Sequence, residues 1–373
     1  METKTYTDPQ SLCDVADDWR KFNRYSPCRS PEWQMAWWRN FGGDSKLQVV
    51  VANDDRGDIR CIAPLHIETS GMRNRICFLG SGHACTDYQS IFTSARQATQ
   101  STQCVAAAID ELVRRQKPWP GIQLELEGVI DGAPWHVEFC SMMQGFGYII
   151  RQRPLGSSYV IDLPVSMECY LNLLSKAFRR KPKKMLSLLA AGERTFHHSS
   201  DPKVMRSMLL VLESLHQRRQ TAMGKKGSFA KPEFGRFLSD LITGLSPLNQ
   251  VEIQWCCHDG DVVAIQFVLK DKERFSMYVS GVDPDYLHLE PGHLLVTASI
   301  ENAISRGISF FDFMRGDEPY KKMWGGKKVP MVTTYMTPSF SPISLAMETV
   351  CTFAEVAKKR LKVGRETHEV QVS

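Results

Sequence analysis

The densest set of chemically capable side chains is the segment Asp312-Phe313-Met314-Arg315-Gly316-Asp317-Glu318-Pro319-Tyr320-Lys321-Lys322-Met323-Trp324. An acid follows the apolar run Ser309-Phe310-Phe311, and Gly316 permits a tight turn. Tyr320, Lys321 and Trp324 then recur at the spacing of one helical turn. A carboxylate at a strand end beside a cleft can act as base or hold a nucleophile. Tyr and Lys can donate to a developing anion or protonate a leaving group. The same spacing suits a solvated acid with a structural Tyr–Asp hydrogen bond, and the pattern alone does not separate the two. His216, one position past Leu215 at the edge of an apolar helix face, is a further candidate. An imidazole there can be a base at neutral pH or a half-buried structural group. His197-His198 and His288 are weaker candidates.

Anion binding is the second chemistry on offer. The strand Phe275 to Gly281 leads through a loop to a helix opening at Pro291-Gly292, with His293 in its first turn. A helix N-terminus offers free N–H groups and the positive end of the dipole. The basic run Lys176 to Lys184 could meet an adenosine phosphate, a lipid-linked sugar phosphate or a tRNA end, or be only a solvated face. Gly80-Ser81-Gly82-His83-Ala84-Cys85 lacks both the G-x-G-x-x-G spacing and a following helix, which argues against a dinucleotide site. Trp33, Trp37 and Trp38 could line a sugar site or pack a helix onto a sheet.

These residues need elements to hold them. Ser30-Pro31-Glu32 reads as a helix start and Gly42-Gly43 as its stop. Strands are expected over 47–52, 59–67, 76–79, 88–92, 122–126, 148–153 and 158–163, with helices over 96–116 and 134–146. The second half opens with a helix over 167–178 that Pro182 should kink or end. Asp201-Pro202 caps a long helix with Val204, Met208, Leu212 and Leu215 on one face, and Pro232 to Leu245 is a further helix. Strands over 251–257, 262–269 and 275–281, a helix from Pro291, a strand over 308–313, a turn of helix over 318–324 and a strand over 331–337 complete it. Residues 344–363 read as a basic amphipathic helix, docked on its own domain or lying on a membrane.

Composition bounds the class. The chain has 373 residues, 43% hydrophobic and 23% charged, with a net charge of +5. It is globular and only mildly basic, which excludes DNA as a main partner. No run approaches the ~18 apolar residues of a membrane-spanning helix, and the first residues have no apolar signal region. The 11 cysteines are odd in number and scattered, as in a reducing compartment, so a cytoplasmic protein is expected. C-x-x-C, H-E-x-x-H, G-x-x-x-x-G-K-[ST] and G-x-S-x-G patterns do not occur, so no metal is expected and P-loop or hydrolase chemistry is disfavoured.

Taken together, the segments resemble the CelD-like acetyltransferase family of cellulose and exopolysaccharide biosynthesis, part of the GNAT acetyltransferase superfamily and akin to the FemABX aminoacyl transferases. The resemblance rests on Ser30-Pro31-Glu32-Trp33, Ala63-Pro64-Leu65, Thr86-Asp87-Tyr88, Phe178-Arg179-Arg180, Leu215-His216-Gln217-Arg218-Arg219 and Gly227-Ser228-Phe229. It continues through Tyr278-Val279-Ser280-Gly281-Val282-Asp283, Glu290-Pro291-Gly292-His293-Leu294-Leu295 and the 312–324 segment, and covers about residues 25–337. It implies an α/β fold of two tandem GNAT-like (acyl-CoA N-acyltransferase) domains, each a mixed, mostly antiparallel sheet flanked by helices, plus a C-terminal helix. The expected division is 1–165, a degenerate first domain; 166–340, the acyltransferase domain; and 341–373, the helix and tail.

The resemblance further implies acetyl-CoA or another acyl-CoA as co-substrate, lying between two parallel strands. Tyr278, Val279, Gly281, Pro291, Gly292, His293, Leu294 and Leu295 would bind it. Asp312 or His216 would be the base, with Tyr320 or Lys321 as acid or oxyanion partner. The acceptor would be an amine or hydroxyl of a small molecule, a sugar or an envelope-polysaccharide precursor, with polysaccharide-synthesis proteins as partners. The glycine-rich pyrophosphate loop of the superfamily, [RQ]-x-x-G-x-[GA], is replaced here by a segment keeping only Gly292. Two alternatives therefore stand beside acyl-CoA transfer: a FemABX-like transferase using aminoacyl-tRNA, and a non-catalytic accessory protein.

Overall fold

The computed structural model describes residues 1–22, 26–70, 73–94, 98–116, 121–346 and 349–350. Among them, thirteen strands join in one sheet. They are β1 (Glu2–Tyr6), β2 (Lys46–Asn53), β3 (Ile59–Ser70), β4 (Arg73–Phe78), β5 (Phe92–Thr93), β6 (Gly121–Ile130) and β7 (Tyr148–Asp162), then β8 (Thr195–Ser199), β9 (Val251–His258), β10 (Asp261–Lys270), β11 (Arg274–Val282), β12 (Phe310–Arg315) and β13 (Lys327–Pro338). The helices are α1 (Cys13–Lys21), α2 (Pro31–Phe41), α3 (Ala98–Arg114), α4 (Pro134–Gly145) and α5 (Met167–Leu173), then α6 (Arg180–Ala190), α7 (Pro202–Ala222), α8 (Pro232–Leu245), α9 (Pro291–Ser305) and α10 (Pro319–Met323).

The strand order is β1-β2-β3-β4-β6-β13-β7-β12-β11-β10-β9-β8, with β5 beside β3. Two neighbouring pairs are parallel, β4–β6 and β11–β12, and the others are antiparallel. Each parallel pair is joined by a crossover that contains a long helix, α3 or α9, as parallel connections require. The same unit thus occurs twice: an antiparallel meander (β2–β3–β4 or β9–β10–β11), a crossover helix and a parallel strand. This is the mixed, mostly antiparallel α/β architecture expected. The last strand, β13, lies between β6 and β7, and β7 also pairs with β12, so one sheet runs through both halves.

Strand alternation sets the two faces. Val49 and Val51 pack with Trp19, Trp33, Leu212 and Leu241, whereas Val50 and Ala52 pack with Val105, Ile109 and Phe139. Phe267 and Leu269 join the first of these clusters, while Val268 packs with Val296 and Ile300 of α9. One face therefore carries α1, α2, α7 and α8, and the other carries α3, α4, α5, α6 and α9.

Several local expectations hold for their stated reasons. Ser30 Oγ accepts from Trp33 N at the start of α2, and Asp201 Oδ1 caps α7 through Lys203 N and Val204 N. Others are corrected. The strands expected over 148–153 and 158–163 are one strand, because Pro154 and Gly156 sit at a bulge that β13 bridges. Pro182 lies in the first turn of α6, where a proline costs no hydrogen bond, and so opens a helix instead of ending one. The buried face of α7 is Met205, Leu209, Leu212 and Leu215, and Val204 is exposed. Residues 88–92 form a loop except at Phe92. The tryptophans of α2 serve packing: Trp33 and Trp37 are buried, with Trp33 Nε1 on Thr86 Oγ1 (2.9 Å) and Trp37 Nε1 on Ser81 O (3.1 Å). The amphipathic helix expected over 344–363 falls, at 347–348 and from residue 351 on, outside the described residues.

Candidate functional site

Strands β11 and β12 pair at three registers only, Arg274↔Phe310, Phe275↔Phe311 and Ser276↔Asp312. Beyond these they part, and side chains hold them apart. Asp312 Oδ1 accepts from Met314 N (2.8 Å), which puts Met314 at φ +57°, outside strand geometry. Lys321 Nζ donates to Met314 O (3.1 Å), Asp87 Oδ2 accepts from Arg315 N (2.7 Å), and Gly316 N donates to Ser157 O (2.9 Å). The backbone of β12 is thus satisfied away from β11. Gly316 has φ +139°, a backbone conformation that residues with a Cβ rarely adopt, so this turn requires glycine. On the other strand, Val279 pairs with Phe267 but Met277 with Val268, so β11 bulges at Tyr278.

Against β11, beyond the registers it shares with β12, lies a cavity of about 430 Å³. Met277, Ser280 and Val282 of β11 form one wall and Tyr320 and Trp324 another. The first turns of α9 close it with Pro291, Gly292, His293, Leu295 and Val296, and Arg219, at the end of α7, borders it with Leu287 and Glu290. Glu290 is the residue before α9, at φ +56°, and its carboxylate is ion-paired with Lys181 of α6. That pairing holds its pKa below the usual range. His293 is held below the ordinary imidazole pKa by burial and by nearby Lys181, and the Tyr320 hydroxyl is pushed up by burial. At neutral pH both are uncharged.

Four of the eight residues expected at the co-substrate line this cavity: Pro291, Gly292, His293 and Leu295. The other four do not. Tyr278 points to the opposite face, with its hydroxyl on Ala84 O (2.6 Å) and its ring against Trp33, and Val279 packs on that same face. Leu294 is buried with Met185 and Ala298 under α6. Gly281 is the contact with α7, where a Cβ would meet His216 N at 2.8 Å and Leu212 O at 3.1 Å. The bulge decides which β11 side chains face the cavity, and nothing in the local sequence marks it. Met277, Ser280, Val282 and Arg219 were therefore missed as lining residues. For Arg219, the basic pair ending Leu215-His216-Gln217-Arg218-Arg219 was the available signal.

Of the expected catalytic residues, Tyr320 lines the cavity and three do not. Asp312 is fully buried, and its Oδ2 accepts from Tyr88 Oη (2.6 Å) and Arg274 Nη1 (2.9 Å). Lys321 is 3% exposed and also pairs with Glu318 (2.9 Å). His216 Nδ1 donates to Ser280 O (2.8 Å), and its Nε2 accepts from Ser228 N (3.2 Å). Burial lowers its pKa and both ring nitrogens are engaged, so the ring ties α7 and the 228 turn to β11. Asp312, Lys321 and His216 thus shape the two strands from behind. The described residues also bring His66, Glu68 and Cys77 together with metal-ligand types, but on β3 and β4, where Arg75 already pairs with Glu68 (2.9 Å) and Glu125 (3.0 Å).

Residues 175–322 match the family model described as an acetyltransferase (GNAT) domain, a span running from just before α6 into α10. The fold is of the GNAT type. The solved structure of FemX is similar, with 10% identity, 93% of this chain and 100% of that chain covered, and a TM-score of 0.65. A conserved protein of unknown function from Bacteroides thetaiotaomicron is similar at 12% identity, covering 90% of this chain and 100% of that one, with a TM-score of 0.59. No curated protein sequence matches.

Proposed function

We propose that this chain is a GNAT-type acyltransferase that moves an acyl group from acyl-CoA to an amine or hydroxyl of a sugar or envelope-polysaccharide precursor. Residues 166–340 are the acting unit in this reading. The observation that carries it is an apolar-walled cavity that lies along β11 past its last register with β12 and ends at the N-terminus of α9. Past Ser276, no strand among the described residues pairs with β11 on its β12 side, and this stretch of backbone is where the amides of a pantetheine arm would pair. The acyl-CoA supplies the thioester, and acceptor attack on its carbonyl passes through a tetrahedral oxyanion before the thiolate leaves. Tyr320, kept protonated by burial, is the group on the wall suited to protonate that thiolate. Asp312, Lys321 and His216 act here as positioning residues. Tyr320→Phe is expected to lower kcat by about 10²- to 10⁴-fold with little change in KM, and an unchanged kcat would remove Tyr320 from the mechanism.

A second reading, transfer from aminoacyl-tRNA, is favoured by one observation. The Glu290 carboxylate, ion-paired with Lys181, stands where a CoA pyrophosphate would meet α9, and Arg180, Lys183 and Lys184 are exposed beside it. A thermal-shift titration with acetyl-CoA, longer acyl-CoAs and free CoA separates the two. A ligand at 100 times its Kd stabilises by about 2.7 kcal/mol, which is readily seen. A saturable shift supports acyl-CoA. No shift with any CoA, together with salt-dependent tRNA binding, supports the second.

A further inference from the structure

His66 and Glu68 on β3 and Cys77 on β4 have metal-ligand chemistry and take no part in the cavity beside β11. Strand alternation puts His66 and Glu68 on one face, and the β3–β4 register sets Cys77 directly opposite His66. The ligand atoms of the three all lie within 4.8 Å of one another. His66 is 2% exposed and Cys77 4%, and Cys77 is in no disulfide. The His66 ring is held by Trp37 (4.8 Å between ring centres) and Trp38 (6.5 Å) of α2. Its Nδ1 is buried with no hydrogen-bond partner among the described residues. Linear zinc motifs do not reveal this set, because Cys77 reaches His66 only through strand pairing.

The surroundings favour a cation. Burial pushes the Cys77 thiol well above its usual pKa; Glu125, Glu68 and Glu127 push the same way, and Arg75 opposes them. Carboxylates that disfavour a bare thiolate favour a divalent cation bound to it, and a coordinating thiol gives up its proton. Arg75 answers part of this charge, pairing with Glu68 Oε1 (2.9 Å) and Glu125 Oε2 (3.0 Å). The Glu68 side chain is 40% exposed, and an ion pair so exposed contributes little. Glu68 can therefore turn to a metal while Arg75 keeps Glu125. We infer that His66, Glu68 and Cys77 form a zinc site. Zinc holds nitrogen and oxygen ligands at about 2.0–2.2 Å and thiolate sulfur at about 2.3 Å in a tetrahedron, which sets its ligands about 3.3–3.7 Å apart. Rotation of Glu68, the exposed member, closes the set. Binding releases the Cys77 proton, forms a zinc–sulfur bond and leaves a fourth position for water. Thiolate with imidazole selects zinc over magnesium and calcium. The metal cross-links β3 to β4 on the face that carries α2, so its role is to hold the first half of the sheet. The inference does not depend on which donor the cavity beside β11 takes.

The test is absorbance titration of the full chain, stripped with a chelator, first with Co²⁺ as a spectroscopic reporter and then with Zn²⁺. One equivalent of Co²⁺ should produce a thiolate-to-cobalt charge-transfer band. One equivalent of Zn²⁺ should abolish it with a Kd below ~10 μM, whereas Mg²⁺ and Ca²⁺ should not. Cys77→Ser should remove the band, and Cys85→Ser, which alters an exposed thiol elsewhere, should keep it. Glu68→Gln, at a half-exposed position, should weaken Zn²⁺ binding by about tenfold. Arg75→Ala should tighten it by about twofold to fivefold, the worth of one exposed ion pair. Zn²⁺ should raise the Tm of the parent and not that of Cys77→Ser. No charge-transfer band in the parent overturns the inference. So does a band that persists in Cys77→Ser, displacement by Mg²⁺, or Zn²⁺ affinity indifferent to both Glu68→Gln and Arg75→Ala.

Discussion

Asp312 has the residue type of a general base and the surroundings of a keystone. It accepts from Tyr88, Arg274 and Met314 in full burial, and removing one partner of such a buried pair leaves an unpaired charge. Asp312→Ala should therefore cost about 3–5 kcal/mol of folding free energy, read by urea unfolding. A variant as stable as the parent but without activity would return Asp312 to a catalytic role. The sequence placed this acid correctly at a strand end, but spacing does not reveal that Tyr88, 224 positions away, supplies its hydrogen bond. Two other buried groups give opposite pH dependences. Burial raises the Asp87 carboxyl to about 6, so the stability this group contributes is full below its unfolded value near 3.8 and fades as pH rises through 6. Burial lowers His66 to about 4, so its contribution is full above 6.5 and is lost as pH falls through 4. Unfolding free energy measured from pH 4 to 7 should rise more steeply with pH in Asp87→Asn than in the parent. His66→Gln should flatten the rise, and coincident profiles would contradict both assignments.

At the scale of elements, the cavity depends on two strands that stop pairing after three registers. Gly281 lets α7 reach β11, and the groups a Cβ would strike there are backbone atoms that cannot step aside. Gly281→Ala should push α7 outward and cost about 1–3 kcal/mol, with weaker donor binding than that loss predicts. Full donor affinity in that variant would show that α7 does not set the cavity's shape. What the sequence made legible here were side-chain-to-backbone signals read within a few residues, the Ser30 and Asp201 caps among them. What it hid were features defined across strands. The bulge at Tyr278 exists only relative to Phe267 and Val268, and the Pro154–Gly156 bulge in β7 imitates a chain break until β13 lies beside it. Pro182 is the intermediate case, since proline marks a helix's first turn and its end with the same letter.

Across the whole molecule, the two repeated units share β7 and β13, and the Asp87–Arg315 and Tyr88–Asp312 pairs cross between the halves. Neither half can lose its strands without exposing the edge of the other. Calorimetry should therefore show one transition whose van't Hoff and calorimetric enthalpies agree. Two resolved transitions would mean that the shared strands do not couple the halves. The repeated α/β order was readable from the sequence, strand by strand. The interleaving was not, because β13 pairs with residues far from it along the chain, and such pairing leaves no local periodicity.

The position of β13 also bears on how the protein is made. Its partners β6 and β7 are complete by residue 162, yet the strand between them begins at Lys327. On a ribosome adding residues one at a time, the first half must wait with one edge of β6 and both edges of β7 open until the second half has been synthesised. Open edges of this kind recruit other chains, and long-range pairing is slow to form. The nascent chain should therefore depend on chaperones for much of its synthesis, and a message truncated before Lys327 should yield an aggregating fragment rather than a folded first half.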